Sequence, residues 1–321
     1  MNDAAQHILV IKHGALGDFV LATGPFKAIR RHHPEAHITL LTAPTFSPLG
    51  RACGWFDEVW SDTRPNPWRA AAWLSLLRRL RSGRFDRVYD LQNSDRTNTY
   101  FRLLGRTRPQ WSGIAPGCSL PHRTAHRGEL HTIARQAEQL AIAGIDTVPP
   151  SDLGWAEADV SRYQIEAPFA LLVPGGAAHR PAKRWPATNY VKLARHLGLS
   201  RTTPVLLGAE AERQVLGDIA VAAPGAIDLC GQTSFEEIAS LARAANIAIG
   251  NDTGPMHVIA AAGCPSIVLF SGASDPARTA PTGTNVAILR RPALSELPVA
   301  TVVASLSAVE AARTKAERSS K

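Results

Sequence analysis

Short apolar runs that break at glycine turns and lead into helix-length stretches recur along this 321-residue chain, and that alternation leaves few folds open. In the first half the pattern predicts strands at 8–12, 38–42, 58–60 and 87–91 and helices at 18–32, 47–53, 68–81, 97–104 and 131–143. Asn66 and Pro67 supply the start of the third helix, and 113–128, rich in Pro and Gly, reads as loop. The second half repeats the grammar with strands at 169–173, 204–207, 226–229, 247–249 and 266–270. Strands alternating with helices imply a parallel sheet covered on both faces. The length exceeds one average domain, and Pro149-Pro150 begins the passage between halves. The expected fold is therefore α/β, with two Rossmann-like doubly wound domains, 1–150 and 151–321, whose strand ends open on a shared cleft. A helical tail at 299–313 is expected to pack back on the first domain.

Three turns carry the chemistry. Gly250-Asn251-Asp252-Thr253-Gly254-Pro255-Met256-His257 follows a buried strand and opens a helix. A helix start of this kind offers unpaired N–H groups and the positive end of the dipole to a phosphate, although an ordinary capping turn has the same residues. Near the N-terminus, His13-Gly14-Ala15-Leu16-Gly17-Asp18 is again strand, turn and helix, and sets a carboxylate at the turn. It lacks the glycine fingerprint of a dinucleotide site, and no Gly-Lys-Ser/Thr follows to make a P-loop. The third turn, Pro174-Gly175-Gly176, runs through a basic loop to Lys183-Arg184-Trp185-Pro186. Both cations there suit a diphosphate, and Trp185 is either core packing or a platform for a base.

Four stretches, in order, make the chain resemble the heptosyltransferase family of glycosyltransferases: 8–18, 174–186, 208–213 and 250–279. The resemblance implies a GT-B-type, inverting, metal-independent transferase that moves heptose from an ADP-heptose donor to a lipopolysaccharide-core glycolipid. Matched residue by residue, it makes Asp18 the base and Lys183 the cation beside the donor phosphates. Thr253 and Gly254 then cradle the diphosphate, Asp252 meets the donor sugar, Gly175 lets the donor approach, and Glu212 binds the ribose, with Glu210 in competition. His257 either faces the site or fixes the turn. Gly17 falls on the acceptor side, and, apart from the resemblance, Arg123, Arg127 or the histidines His122, His126 and His131 are candidates for an acceptor phosphate. Two departures bear on specificity: His13-Gly14-Ala15 replaces the hydroxyl residues common before Leu-Gly-Asp, and Gly272-Ala273-Ser274 replaces Gly-Pro-Thr. The rival readings are a nucleotide-sugar epimerase or hydrolase, and a non-catalytic nucleotide-sugar-binding protein of the same fold.

Charge and composition narrow the partners. Residues 1–150 hold 19 Lys and Arg against 12 Asp and Glu, while 151–321 hold 16 against 15. The basic half should face an anionic partner, for which nucleic acid, an acidic membrane surface and a phosphorylated glycolipid all qualify; the resemblance implies a glycolipid acceptor at the inner membrane surface. The cluster Arg78, Arg79, Arg81, Arg84 and Arg87 lacks interleaved aromatics and any nucleic-acid motif, so it reads as a solvated helix end and nucleic acid is disfavoured. No run of eighteen apolar residues could span a bilayer, and the first residues lack the form of a secretion signal. Cys53, Cys118, Cys230 and Cys264 are widely spaced, as buried thiols of a reducing compartment would be, which gives a cytoplasmic expectation. No cofactor is expected beyond the nucleotide sugar itself. Nor is a metal: Glu157-Ala158-Asp159 only approaches an Asp-x-Asp spacing, and His122, His126 and His131 lack a fourth zinc ligand.

Overall fold

A computed structural model describes residues 6–66, 68–105, 108–176 and 180–319, with side chains through 309. The chain forms two compact units, Met1–Trp155 and Ala156–Lys321. The first runs β1 (His7–Ile11), α1 (Leu16–His32), β2 (His37–Thr42), α2 (Ser47–Ala52), β3 (Glu58–Ser61) and α3 (Ala70–Ser82). It continues with β4 (Arg87–Asp90), α4 (Asp95–Leu103), β5 (Gln110–Gly113), β6 (Leu120–Pro121) and α5 (Thr132–Ile142). The second runs β7 (Phe169–Val173), α6 (Ala187–Leu199), β8 (Thr203–Leu206), α7 (Arg213–Ala222), β9 (Ile227–Asp228) and α8 (Phe235–Ala244). It closes with β10 (Ile247–Asn251), α9 (Gly254–Ala261), β11 (Ser266–Phe270), α10 (Pro276–Thr279), β12 (Val286–Arg290) and α11 (Val299–Ser319).

Both units hold a six-stranded sheet, ordered β3-β2-β1-β4-β5-β6 and β12-β11-β10-β7-β8-β9. All the strand pairs are parallel, and the two orders are the same Rossmann order read from opposite edges. Successive side chains of a strand point to opposite faces. Thus Ala170 and Leu172 join Ile247, Ile249, Ile267 and Leu269 beneath α6, α7 and α11. Phe169, Leu171 and Val173 join Ala248, Val268 and Phe270 on the other face, with Met256 and Ile259 of α9. In the first unit Leu9 and Ile11 pack with Val88, Tyr100, Phe101 and Leu104. Burial on both faces explains why these strands read as unbroken apolar runs.

Several expectations need correction. Gln110–Gly113 is a strand although Trp111 is its one large apolar residue, and Leu120–Pro121 adds a short edge strand inside the stretch read as loop. Val286–Arg290 is a further edge strand, every residue of it half-buried or exposed. Helix α3 begins at Ala70, later than expected, and Pro67 lies outside the described residues. The C-terminal helix sinks Val302, Leu306 and Val309 into the core of its own unit.

Candidate functional site

In each sheet the strand order reverses between two central strands, β1 and β4 in one unit and β7 and β10 in the other. Loops leaving such strands diverge to opposite faces and open a crevice at their carboxyl ends. The turns picked out above sit at these two points.

At the second point, Asn251 ends β10 fully buried. Its Nδ2 donates to the carbonyls of Pro174 (2.7 Å) and Gly175 (2.9 Å), and its Oδ1 accepts from the Trp185 backbone N–H at 3.0 Å. The Tyr190 hydroxyl lies 3.1 Å from the same oxygen. One side chain thereby joins the glycine turn to the basic loop; positions 177–179 of that loop are outside the described residues. No local pattern marks Asn251, because its partners lie 61 to 77 positions away. Trp185 proves to be core: it is 2% exposed, its Nε1 donates to the Leu297 carbonyl at 2.9 Å, and it meets Tyr190 edge-on. The Arg184 guanidinium donates to the Gly176 carbonyl, so it braces the turn.

Lys183 closes a short 3-10 turn, Pro181–Lys183, and its Nζ pairs with Asp252 Oδ2 at 2.5 Å, both side chains being largely buried. Thr253 is the N-cap of α9 but makes no side-chain cap, and its buried Oγ1 has no hydrogen-bond partner. Gly254 follows as the first helical residue, and His257 is buried one turn on. The Ser274 hydroxyl, beyond the neighbouring strand β11, is likewise buried without a hydrogen bond. Buried hydroxyls left open at a helix start match what a phosphate or sugar would fill. Glu212 accepts from Gly176 N at 2.5 Å and Ala209 N at 2.8 Å. A Cβ at Gly175 would lie 1.9 Å from Glu212 Oε1, so only glycine allows the carboxylate there. Glu210 points elsewhere, into an exposed pair with Arg213.

At the first point, Gln92 Oε1 accepts from the backbone N–H groups of His13 and Gly14, each at 2.9 Å. Gly14 turns with φ of +31°, a conformation that suits glycine. Helix α1 then begins beyond Ala15, with Gly17 buried and Asp18 half-buried in its first turn. The Asp18 carboxylate lies 3.4 Å from the Ala15 N–H, a long contact that leaves its lone pairs largely free. Beneath it Lys12 is buried, its Nζ 3.4 Å from the Leu91 carbonyl. Burial pushes this ammonium below its ordinary pKa; Asp18 opposes that shift, Arg135 adds to it and Asp90 opposes it. Burial lifts the Asp90 carboxyl to about 6 against hydrogen bonds from Thr97, Asn93 and Gln92, and Asp90 Oδ2 has no hydrogen-bond partner.

His13 is buried with Nε2 3.2 Å from Asp62, which also accepts from Tyr100 and Arg96. Burial works against the Asp62 charge, yet the hydrogen bonds from His13 and Tyr100 hold it well below the usual carboxylate range. The hydroxyl positions expected before Leu-Gly-Asp are thus taken by a structural histidine. Of the two arginines expected on the acceptor side, Arg123 is exposed and Arg127 half-buried, with Nε lacking a hydrogen bond. The histidine trio does not converge on a metal geometry. His122 and His126 lie 3.0 and 3.2 Å from Glu138, and His131 caps α5; among the described residues no group of three or more His, Cys, Asp or Glu could hold an ion.

The family model "Glycosyltransferase family 9 (heptosyltransferase)" matches residues 73–305. Lipopolysaccharide heptosyltransferase 2 of Escherichia coli is 27% identical over 88% of this chain and 87% of that protein. Among solved structures, a family 9 glycosyl transferase from Veillonella parvula superposes with a TM-score of 0.79 at 19% identity, covering 97% of this chain and 98% of the other. The E. coli ADP-heptose lps heptosyltransferase II gives 0.75 at 21% identity, over 96% and 100%. At such identities the structural likeness speaks for the fold, which is of GT-B type.

Proposed function

The chain belongs to glycosyltransferase family 9, the heptosyltransferases, and from that premise we propose that it transfers heptose from an ADP-sugar to a lipopolysaccharide-core acceptor, with inversion and without a metal ion. The curated relative is named for lipopolysaccharide and a solved neighbour for ADP-heptose. The observation that carries the reading is the Lys183–Asp252 pair beside the open start of α9, where the Thr253 hydroxyl lacks a partner. Lys183 and the helix dipole supply the positive charge that a leaving diphosphate requires, which is the task a divalent ion performs elsewhere.

In this scheme Asp18 takes the proton of an acceptor hydroxyl, whose oxygen attacks the anomeric carbon. The bond from that carbon to the diphosphate breaks, its electrons leave with ADP, and the proton stays on Asp18. Glu212 and Gly175 hold the ribose end, Asp252 the sugar, Thr253, Gly254 and His257 the phosphate end. The basic first unit, through Gly17, Arg123 and Arg127, takes the anionic acceptor at the cytoplasmic face of the inner membrane.

The test is Asp18→Asn. Transfer falls by about a hundred- to ten-thousandfold, as for loss of a general base, while ADP-heptose still raises the melting temperature. Unchanged turnover removes Asp18 from the chemistry, and a melting temperature insensitive to every nucleotide sugar removes the donor reading.

A further inference from the structure

From residue 63 to residue 85 the chain carries Arg64, Arg69, Arg78, Arg79, Arg81 and Arg84 and no aspartate or glutamate. This stretch contains α3, which turns Leu80 into the core with Trp73 and Leu76 packed beside it. The side of the helix away from that core, followed through Leu74, Arg78 and Arg81, is exposed. Trp68, just ahead of the helix, is 89% exposed and Leu74 52%. Beyond the helix a shallow groove of about 580 Å³ has Leu80, Phe85, Leu104 and Pro109 in its lining and Arg81 and Arg84 among its walls. Arg79 is occupied over the Trp60 ring, but among the described residues no carboxylate pairs with Arg69, Arg78, Arg81 or Arg84.

A merely solvated helix end has no use for a bare indole, and a nucleic-acid face would set aromatics in a row for stacking rather than aliphatic leucines. Cations without counter-charges, around exposed Trp and Leu, complement a surface that is negative outside and apolar just beneath. No helix of the described residues is long and apolar enough to cross a membrane, so such contact would be peripheral. We infer that the α3 face docks on an anionic phospholipid bilayer. Trp68 and Leu74 enter the boundary between headgroups and acyl chains, and Arg69, Arg78, Arg81 and Arg84 meet lipid phosphates.

The full-length protein is sedimented with vesicles of phosphatidylcholine containing about one-third phosphatidylglycerol, and with phosphatidylcholine alone. The wild type partitions onto the anionic vesicles, and added salt weakens this binding without abolishing it. Arg78→Ser/Arg81→Ser/Arg84→Ser lowers the partition coefficient roughly a hundredfold at low salt. Trp68→Ser/Leu74→Ser lowers it about tenfold or more even at high salt, because the apolar contribution is not screened. The apolar pair is exposed in the folded chain, and melting temperatures of both variants are measured to confirm folding. Variants that melt like the wild type yet bind vesicles equally overturn the inference, as does equal binding to neutral vesicles. Loss of polynucleotide binding with vesicle binding intact gives the face to nucleic acid instead. The vesicles hold no acceptor, so this result stands or falls apart from the transferase reading.

Discussion

The two points of strand reversal share one scaffold and carry opposite chemistry. Ile11 pairs with Asp90 as Val173 pairs with Gly250, so the turns that follow occupy corresponding places. In both a side-chain amide from the far strand's end holds the near turn: Gln92 grips two N–H groups, and Asn251 grips two carbonyls. The helices beyond the far strands differ. Ser94 and Thr97 cap α4 reciprocally and close its start, whereas α9 has no side-chain cap. The near turn of the first point leads to a carboxylate, Asp18 in the first turn of α1, and that of the second to a cation, Lys183, which pairs with Asp252 ahead of α9. A fold sets where a site lies; whether the local helix spends its N–H groups on itself or leaves them for a ligand does much to set what binds there.

The comparison breaks most visibly at Asn251. Asn251→Leu strands buried carbonyls and an N–H group, and should cost about 3–5 kcal/mol in denaturant melts while the first unit keeps its own transition. A loss under about 1 kcal/mol would deny Asn251 its joining role. Next is Asp90, a buried acid where the second unit has glycine. Its folded pKa of about 6 exceeds the ordinary 3.8. Between those values the folded chain keeps a proton that the unfolded chain has lost, so stability falls as pH rises from about 4 to about 6. The gap is about 2–3 kcal/mol, and Asp90→Asn should flatten it in urea melts across that range; an identical slope in the variant would assign the dependence to another group. Smallest is Gln92→Leu, at about 1–2 kcal/mol, with turnover falling more than donor affinity because the Asp18 turn loosens. Gln92→Glu keeps the acceptor and should restore most of the activity, and kinetics equal to wild type in Gln92→Leu would separate the turn from the reaction.

The central strands were legible because burial on both faces demands apolar runs such as Phe-Ala-Leu-Leu-Val at Phe169–Val173. Gln110–Gly113 was not, since its place in the sheet comes from pairing with β4 rather than from its own composition. Asp18, Lys183, Asp252 and Thr253 stand out locally as polar groups at glycine turns. The supports behind them do not. Glu212 reaches Gly176 from 36 positions away and Gln92 reaches Gly14 from 78, and no local pattern encodes such distances. Glu210 and Glu212, two residues apart in sequence, part in space: Glu212 lies against Gly175 and Glu210 pairs with Arg213.

Helix α1 carries one more lesson. A Cβ on Gly24 would fall 2.2 Å from the Pro149 carbonyl, the Thr23 hydroxyl accepts from Asp152 N at 2.9 Å, and Lys27 pairs with Asp152. The rod whose tip bears Asp18 is therefore clamped at mid-length to the strap of chain leaving the first unit. Because Asp18 stands in the first turn of that same helix, the chain leaving the first unit is fastened to the element that bears the acid.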